Sequence, residues 1–250
     1  MKARKFSMVL ATLIAVATFS VPALAQMNDS MKKGAVKFKV RIENISSADG
    51  FSASNGMMWP FAISPGAYTI HHGSGNPLFK VGQYAGNTGL EAQAEDGNPE
   101  MLIKMASHHA GVDNSGVFNT PVGAMAAGPV TPGAAFEFEV MASPGAHLFV
   151  TFMFGQSNDL FFGNQKAISL FDTKGKPMNG DVTAQFGLWD AGTEVNEEPG
   201  IGPNQAPRQK AANTGASERK RVASVKDGFT YPNTTDVLRI TVAPITGGMM

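Results

Sequence analysis

Three stretches of the chain alternate apolar and charged or polar residues with a period of two, and this alternation constrains the fold more than any other feature. Val36–Glu43 places four apolar and four charged side chains in strict alternation. Phe136–Val140 and Leu238–Val242 repeat the pattern. Because successive side chains of a strand point to opposite faces, each stretch predicts a strand with one buried and one solvated face.

Shorter apolar stretches lie between these strands. His147–Phe154, Ala167–Phe171 and Val182–Trp189 are bounded by Gly, Pro, Asn or Asp. Short strands separated by turn residues are typical of an antiparallel β-sandwich. We therefore predict an all-β fold in a single domain over residues 36–246.

Helical signals are few and local. One short helix is predicted over Thr88–Ala94 and a second over Glu100–His108, where Asn98 can cap the first turn. Residues 200–231 are polar and rich in Gly, Pro, Asn and Gln. We interpret them as one long loop between the last two strands, because the stretch after them, Asp236–Ile245, is too short to fold alone.

Residues 1–25 have the three-part pattern of a secretory signal peptide. Basic residues precede an apolar run over residues 8–19, and an Ala-x-Ala cleavage site ends at Ala25. The alternative is a membrane anchor, but the run is short against the roughly 20 residues that a spanning helix needs. We therefore predict export to the periplasm or the medium, a flexible stub over residues 26–35, and no transmembrane segment in the mature chain.

Composition removes several classes of function. The chain has no cysteine, which excludes disulfides, thiolate metal sites and cysteine nucleophiles. Its 20 basic and 20 acidic residues give no electrostatic case for binding nucleic acid. Residues 1–25 hold three basic residues and no acidic one, so their loss leaves 17 basic against 20 acidic residues and a net charge of −3. Outside the cytosol, even calcium sites with dissociation constants of about 10⁻⁴ to 10⁻³ M fill.

Three stretches together resemble one protein family. They are Leu78–Gln83 with its continuation through Gly89–Asn98, then Ser157–Gly163, then Trp189–Glu194. Their order and spacing are similar to the spondin domain of F-spondin and mindin, which is also found alone in bacterial exported proteins. The resemblance covers residues 36–245. It implies a C2-like antiparallel sandwich of about eight strands, with one or two short helices in the connections and a calcium ion at one end. In the animal proteins the domain serves matrix and cell-surface adhesion.

The resemblance carries three metal ligands onto this chain, namely Asp159, Asp190 and Glu194. Two departures from the family pattern stand nearby. Leu160 replaces an aromatic residue, and Asn164 begins a pair where an acid often follows the glycine. Glu194 is also longer than the more compact Asp. We therefore expect a weaker site than in the animal proteins, or one that uses a different backbone oxygen.

The same acids have a physical reading of their own. Asp159 and Asp190 each follow a predicted strand, so their carboxylates meet if both strands end at the same rim. Carboxylates held together raise one another's pKa values unless a cation intervenes. Calcium suits such a site because it accepts six to eight oxygen ligands in flexible geometry. The alternative is that these are ordinary loop residues, with Asp190 forming an Asx turn.

Two other functions stay open. The first is an extracellular hydrolase that uses Asp159 and Asp190 as its acids, although the chain has neither a Gly-x-Ser-x-Gly nor a His-Glu-x-x-His motif. The second is periplasmic binding of a transition metal, suggested by the pairs His71–His72 and His108–His109. Neighbours on a strand point to opposite faces and neighbours on a helix diverge by about 100°, so neither pair chelates well alone.

Two further features have a structural and a functional interpretation. Glu137 and Glu139 share one face of a predicted strand, and we interpret them as its solvated side rather than a catalytic pair. Met57–Phe61 is either core or, if exposed, a protein contact patch. The sequence as a whole predicts an exported, monomeric, non-enzymatic calcium-binding sandwich for a protein, cell-surface or matrix ligand, whose binding residues it does not identify.

Overall fold

The computed structural model describes residues 34–245. The predicted signal peptide and most of the predicted stub lie outside the described residues. Within them, thirteen strands occur in chain order: β1 (Val36–Asn44), β2 (Phe51–Ser52), β3 (Met58–Trp59), β4 (Ile63–His71), β5 (Val112–Phe118), β6 (Ala135–Ala142), β7 (His147–Phe154), β8 (Leu160–Gly163), β9 (Ile168–Ser169), β10 (Gly180–Asp181), β11 (Gly187–Asp190), β12 (Ala223–Ser224) and β13 (Leu238–Pro244). Eight of these strands have four residues or more.

Two antiparallel sheets form the sandwich. One has four strands in the order β10-β13-β1-β6, and the other has seven, in the order β12-β11-β8-β7-β4-β5 with β9 beside β7. A separate hairpin joins β2 to β3. The predicted all-β antiparallel sandwich is confirmed. No helix within residues 34–245 has the length and apolar character needed to cross a bilayer.

The main core lies between the two sheets. On β1, Phe38, Val40 and Ile42 are fully buried, whereas the alternating basic residues lie on the other face. On β6, Glu137 pairs with Lys39 of β1 at 2.8 Å, and Glu139 pairs with Lys37 of β1. The alternation therefore separates core from solvent as predicted.

The outer face of the seven-stranded sheet is also covered. Three short helices lie in the connections, α1 (Leu90–Asp96), α2 (Glu100–Ala106) and α3 (Thr234–Val237). The first of these packs on β7 and β8, where Leu90 and Ala94 join Phe149 and Phe161 in a second apolar cluster. Burial on both faces explains why β7 is apolar along its length instead of alternating.

The predicted strand over Val182–Trp189 is wrong in part. A 3₁₀ turn at Thr183–Gln185 occupies its first half, and only the second half is strand, in β11; β10 ends before the predicted range and belongs to the other sheet. The turn is held by the carboxylate of Asp181, which accepts the Thr183 N–H at 2.7 Å. Helix α3 was not predicted, because it contains only four residues.

Two further predicted segments are now placed. Residues 200–231 do connect β11 to β13, with β12 as their only strand. In Met57–Phe61 the two aromatic residues are core, with Trp59 5% and Phe61 0% exposed. Met57 and Met58 are exposed, so the segment is partly core and partly surface.

Candidate metal centre

Two of the predicted ligands lie at one rim of the seven-stranded sheet. Asp159 directly precedes β8, and Asp190 ends β11. These strands pair with Asp190 opposite Leu160, and the Ala191 N–H donates to the backbone carbonyl of Asp159 at 3.2 Å. The structure therefore brings the two loops together.

Asp159 is fully buried, and only one of its two carboxylate oxygens has hydrogen-bond partners. Its Oδ2 accepts hydrogen bonds from the Thr193 N–H at 2.7 Å, the Thr193 hydroxyl at 3.2 Å and the Glu194 N–H at 3.1 Å. Its Oδ1 is buried without a hydrogen-bond partner. Burial raises the pKa of Asp159 to about 7, the charge of Asp190 adds to the rise, and the bonds from Thr193 and Glu194 oppose it.

Asp190 forms an Asx turn, which the sequence analysis gave as its alternative role. Its Oδ1 accepts the Gly192 N–H at 2.7 Å, and its Oδ2 accepts the Asn196 side-chain amide at 2.9 Å. The turn needs a glycine, because Gly192 has φ +70° and a Cβ there would lie 2.7 Å from the backbone of Lys220. Burial raises the pKa of Asp190, although both of its oxygens already have partners.

The Glu194 carboxylate faces another loop. Its Oε1 accepts the Gly215 N–H at 2.8 Å, and its Oε2 accepts the Asn158 side-chain amide at 3.3 Å. Only the backbone N–H of Glu194 reaches Asp159. Burial raises the pKa of Glu194 as well. The Glu194 carboxylate therefore holds the loop around Gly215, and its charge also raises the pKa of Glu95.

The sequence reasoning missed Glu95, which α1 brings to the rim. Glu95 is 2% exposed, and its Oε2 is buried without a hydrogen-bond partner. Burial raises its pKa to about 8. A hydrogen bond with the Thr193 side chain lowers that pKa, whereas the charges of Glu194, Glu91 and Asp159 raise it. One signal was available, since Glu95 follows Ala94 on the apolar side of a short helix and belongs to the stretch that resembles the spondin domain.

The two unsatisfied carboxylate oxygens are the unusual feature of this rim. Six buried side-chain polar atoms within residues 34–245 lack a hydrogen-bond partner, and the only carboxylate oxygens among them are those of Asp159 and Glu95. The side chain of Thr193 interacts with both carboxyl groups. An unsatisfied buried oxygen costs about 1–3 kcal/mol, more when charged. A proton or a cation removes that cost.

The donor set fits a hard cation. Carboxylate, hydroxyl and backbone oxygens surround the rim, and calcium prefers such ligands. Two clefts reach the rim, of about 300 Å³ beside Glu95 and about 320 Å³ beside Thr193, and they offer entry paths. Within residues 34–245, no three His, Asp or Glu side chains are already gathered as a metal-holding group. The structure thus places Glu95, Asp159, Asp190 and Glu194 at one rim, where the charge of Asp190 acts on Asp159 and the charges of Glu194 and Asp159 act on Glu95.

The histidines lie at the other end of β7. His71 and His147 are register partners, and the His71 and His109 rings are 5.7 Å apart. Both ring nitrogens of His71 face backbone carbonyls, at 3.0 and 3.1 Å, which is a structural role. His72 instead contacts Asp113 at 2.8 Å, so the adjacent pair His71–His72 does not act as one chelate.

Comparison with protein-family models gives no match, and no curated protein matches the chain. The rim geometry is therefore the basis on which a function is proposed.

Proposed function

We propose that this chain is an exported calcium-binding β-sandwich of the spondin type that acts as a non-enzymatic binding module for a protein, cell-surface or matrix ligand. The observation that carries the proposal is the pair of unsatisfied, buried carboxylate oxygens of Asp159 and Glu95. Two buried acids whose pKa values are raised mainly by burial are what a bound divalent cation would neutralise. The motif resemblance supports the same reading.

Glu95 and Asp159 would hold the ion directly, with Asp190 as a third carboxylate whose charge already acts on Asp159. When bound, calcium supplies positive charge that no basic side chain provides to these two oxygens. Thr193 would position both acids, because its N–H and hydroxyl bind Asp159. The ion would be structural, joining α1, the β7–β8 turn and the loop after β11.

Burial favours this role over the hydrolase. A catalytic acid pair must reach a water molecule and a substrate, whereas Asp159 has 0% exposure. The Asp190 carboxylate accepts two hydrogen bonds that shape its own loop. These contacts support a rim that presents a surface to a partner.

The proposal is tested by thermal unfolding of the exported protein in 1 mM calcium and in chelator. We expect a melting temperature several degrees higher in calcium for the wild type. Asp159→Asn should remove this difference, while Glu139→Gln, which changes an exposed acid of the other sheet, should keep it. Equal melting temperatures of the wild type in the two buffers would contradict the proposal. Because Asp159→Asn also removes a buried charge, this variant should stay folded in chelator.

Export has its own test. The pattern of residues 1–25 supports removal of a signal peptide, so the protein recovered from the envelope or the medium should begin at Gln26 by mass spectrometry. Recovery of a chain that still begins at Met1 would contradict export by cleavage.

A further inference from the structure

A small apolar cavity opens beside α2, away from the two unsatisfied carboxylates. It has a volume of about 220 Å³ and is lined by fifteen residues. Its apolar lining includes Leu78, Phe79, Leu90 and Leu102. The fifteen residues contain one lysine and one histidine but no aspartate or glutamate. The cavity is therefore mostly apolar, with one asparagine, one glutamine and one threonine as neutral polar lining, and no acid lines it.

Exposed apolar side chains surround the cavity mouth. Tyr84 is 58% exposed and Met105 50%, and both line the cavity. Met101 lies one helical turn before Met105 on α2 and is 49% exposed, and Val81 in the mouth loop is 37% exposed. We call these four residues and the cavity the Tyr84 face. Such clustered exposure marks protein contact sites, and methionine adapts readily to a partner.

Basic side chains lie around the same face. The Arg221 guanidinium lies 4.8 Å from the centre of the Tyr84 ring and donates to the Gly82 carbonyl at 2.8 Å. Lys80 lines the cavity, and Lys104 is exposed beside Met105 on α2. Tyr84 also borders the cleft beside Thr193, which contains two glutamates, so the basic charge belongs to the cavity side of the face, where the lining holds no acid.

One backbone segment links this face to the metal rim. Residues 218–222 donate to the rim loop through Glu218 N–H to Thr193 and Lys220 N–H to Gly192, at 2.6 and 2.8 Å. The same segment pairs with the cavity mouth, because the Val222 N–H donates to the Gln83 carbonyl at 2.8 Å. The rim loop and the mouth are therefore held by one segment.

We propose that the Tyr84 face docks a protein segment that inserts one apolar side chain into the cavity and places acidic side chains against Lys80, Lys104 and Arg221. The proposal rests on the proposed binding function and names its surface and its partner chemistry. The cavity is smaller than the roughly 300 Å³ at which small-molecule sites begin, so it suits a single anchor side chain. In protein interfaces, apolar anchors at the centre supply most of the affinity, and charges at the periphery orient the partner.

The test uses three capped hexapeptides and the methyl signals of ¹³C-labelled methionine. The first peptide is Glu-Glu-Leu-Phe-Glu-Glu, the second replaces its four acids with lysine, and the third replaces Leu-Phe with Gly-Gly. We expect only the first to give a saturable shift of the Met105 methyl signal, which Met105→Leu assigns. Equal shifts from the first two peptides, or none from the first at millimolar concentration, would overturn the proposal.

Two variants locate the contact. Because Met105→Glu removes the methyl reporter, calorimetry follows binding in the variants, and Met105→Glu should weaken the affinity for the acidic peptide by about tenfold or more. Met141→Glu is the matched control, because Met141 is 48% exposed on β6 of the other sheet, and it should change affinity by less than about twofold. Lys80→Glu should reduce the preference for the acidic peptide over the lysine peptide. Equal losses from Met105→Glu and Met141→Glu would overturn the assigned surface.

Repeating the titration in chelator separates this proposal from the calcium proposal. Calcium-dependent melting without a peptide shift would overturn the Tyr84 face and leave the metal rim standing. A peptide shift in a protein that melts identically with and without calcium would overturn the calcium proposal and leave the Tyr84 face standing. Weaker peptide binding in chelator would support the link through residues 218–222.

Discussion

Two regions of this molecule concentrate acidic residues and treat them in opposite ways. On the solvated face of β1 and β6, Glu137 pairs with Lys39 at 2.8 Å and with Arg41 at 3.3 Å. At the metal rim, Glu95 and Asp159 are buried, each with one oxygen that lacks any hydrogen-bond partner. The first region neutralises its acids with its own cations, whereas within residues 34–245 no ion pair involves Glu95 or Asp159, and the nearby exposed Lys220 pairs with Glu218.

The pKa values follow this difference. The hydrogen bond and charge of Lys39 hold the pKa of Glu137 below its usual range, whereas burial raises the pKa of Asp159 to about 7 and that of Glu95 to about 8. Acidic residues alone therefore do not identify a metal site. Burial together with a carboxylate oxygen that has no hydrogen-bond partner is the more specific sign, because such an oxygen gains from a bound cation.

The largest expected effect that tests this contrast is on stability against pH. An acid whose pKa is raised by folding stabilises the protein below its unfolded pKa, and this stability is lost as pH rises through the folded pKa. In chelator we therefore expect the free energy of unfolding to fall between about pH 4 and pH 8. Asp159 alone accounts for on the order of 4 kcal/mol, from a pKa moved from 3.8 to about 7. Urea unfolding at several pH values measures this loss.

Substitutions assign that pH dependence to the rim. In chelator, combining Asp159→Asn with Glu95→Gln should largely remove the decrease in the free energy of unfolding between about pH 4 and pH 8. Glu137→Gln should leave that decrease unchanged. Saturating calcium should also reduce the fall, because the ion takes the place of the protons. A fall that persists unchanged in the double variant would show that other groups cause it.

The next effect concerns the rigidity of the rim loop. Gly192→Ala combines a positive φ of +70° with a Cβ 2.7 Å from the Lys220 backbone, so we expect a loss of about 2–3 kcal/mol. Gly175→Ala is the matched control, since its φ is +77° but no atom lies within 4 Å of the added Cβ, and it should cost about 1 kcal/mol. Equal losses would mean that the loop adjusts freely around Lys220.

Calcium itself should contribute a smaller amount. With a dissociation constant of about 0.1 mM, 1 mM calcium stabilises the folded chain by about 1.4 kcal/mol. Glu95→Gln should abolish this gain, whereas Glu91→Gln, one turn earlier on α1, should retain it. Denaturant unfolding with and without calcium measures both variants. A full gain in Glu95→Gln would remove Glu95 from the ligand set.

The sequence predicted the sandwich because period-two alternation directly encodes two-faced strands. It predicted the meeting of Asp159 and Asp190 for a similar reason, since both residues end or precede strands that pair along their length. It did not predict the 3₁₀ turn within Val182–Trp189, because β-branched and apolar residues are equally suited to a strand in either sheet. The only local sign of the turn is the hydrogen bond that the Asp181 carboxylate accepts from the Thr183 N–H.

Glu95 shows the other limit of the sequence. The direction of a side chain on a seven-residue helix depends on how that helix packs on β7 and β8, and this packing is a tertiary property. Glu194 shows the same limit. Its spacing from Asp190 allows the two acids to face one point, yet the chain uses its carboxylate to hold Gly215. Spacing limits which acids can meet, and packing decides which of them do.

The smallest expected effect is on the solvated face, where Glu137→Gln should cost about 0.2–1 kcal/mol, as exposed ion pairs do. Because the pKa of Glu137 is lowered in the folded chain, its contribution is present above the unfolded pKa and is lost as pH falls through the folded one, opposite to the rim. It should also shrink with added salt, since exposed charges are screened. Unfolding of Glu137→Gln and wild type at low and high salt measures this, and a salt-independent loss above about 2 kcal/mol would remove the contrast between the two acidic regions.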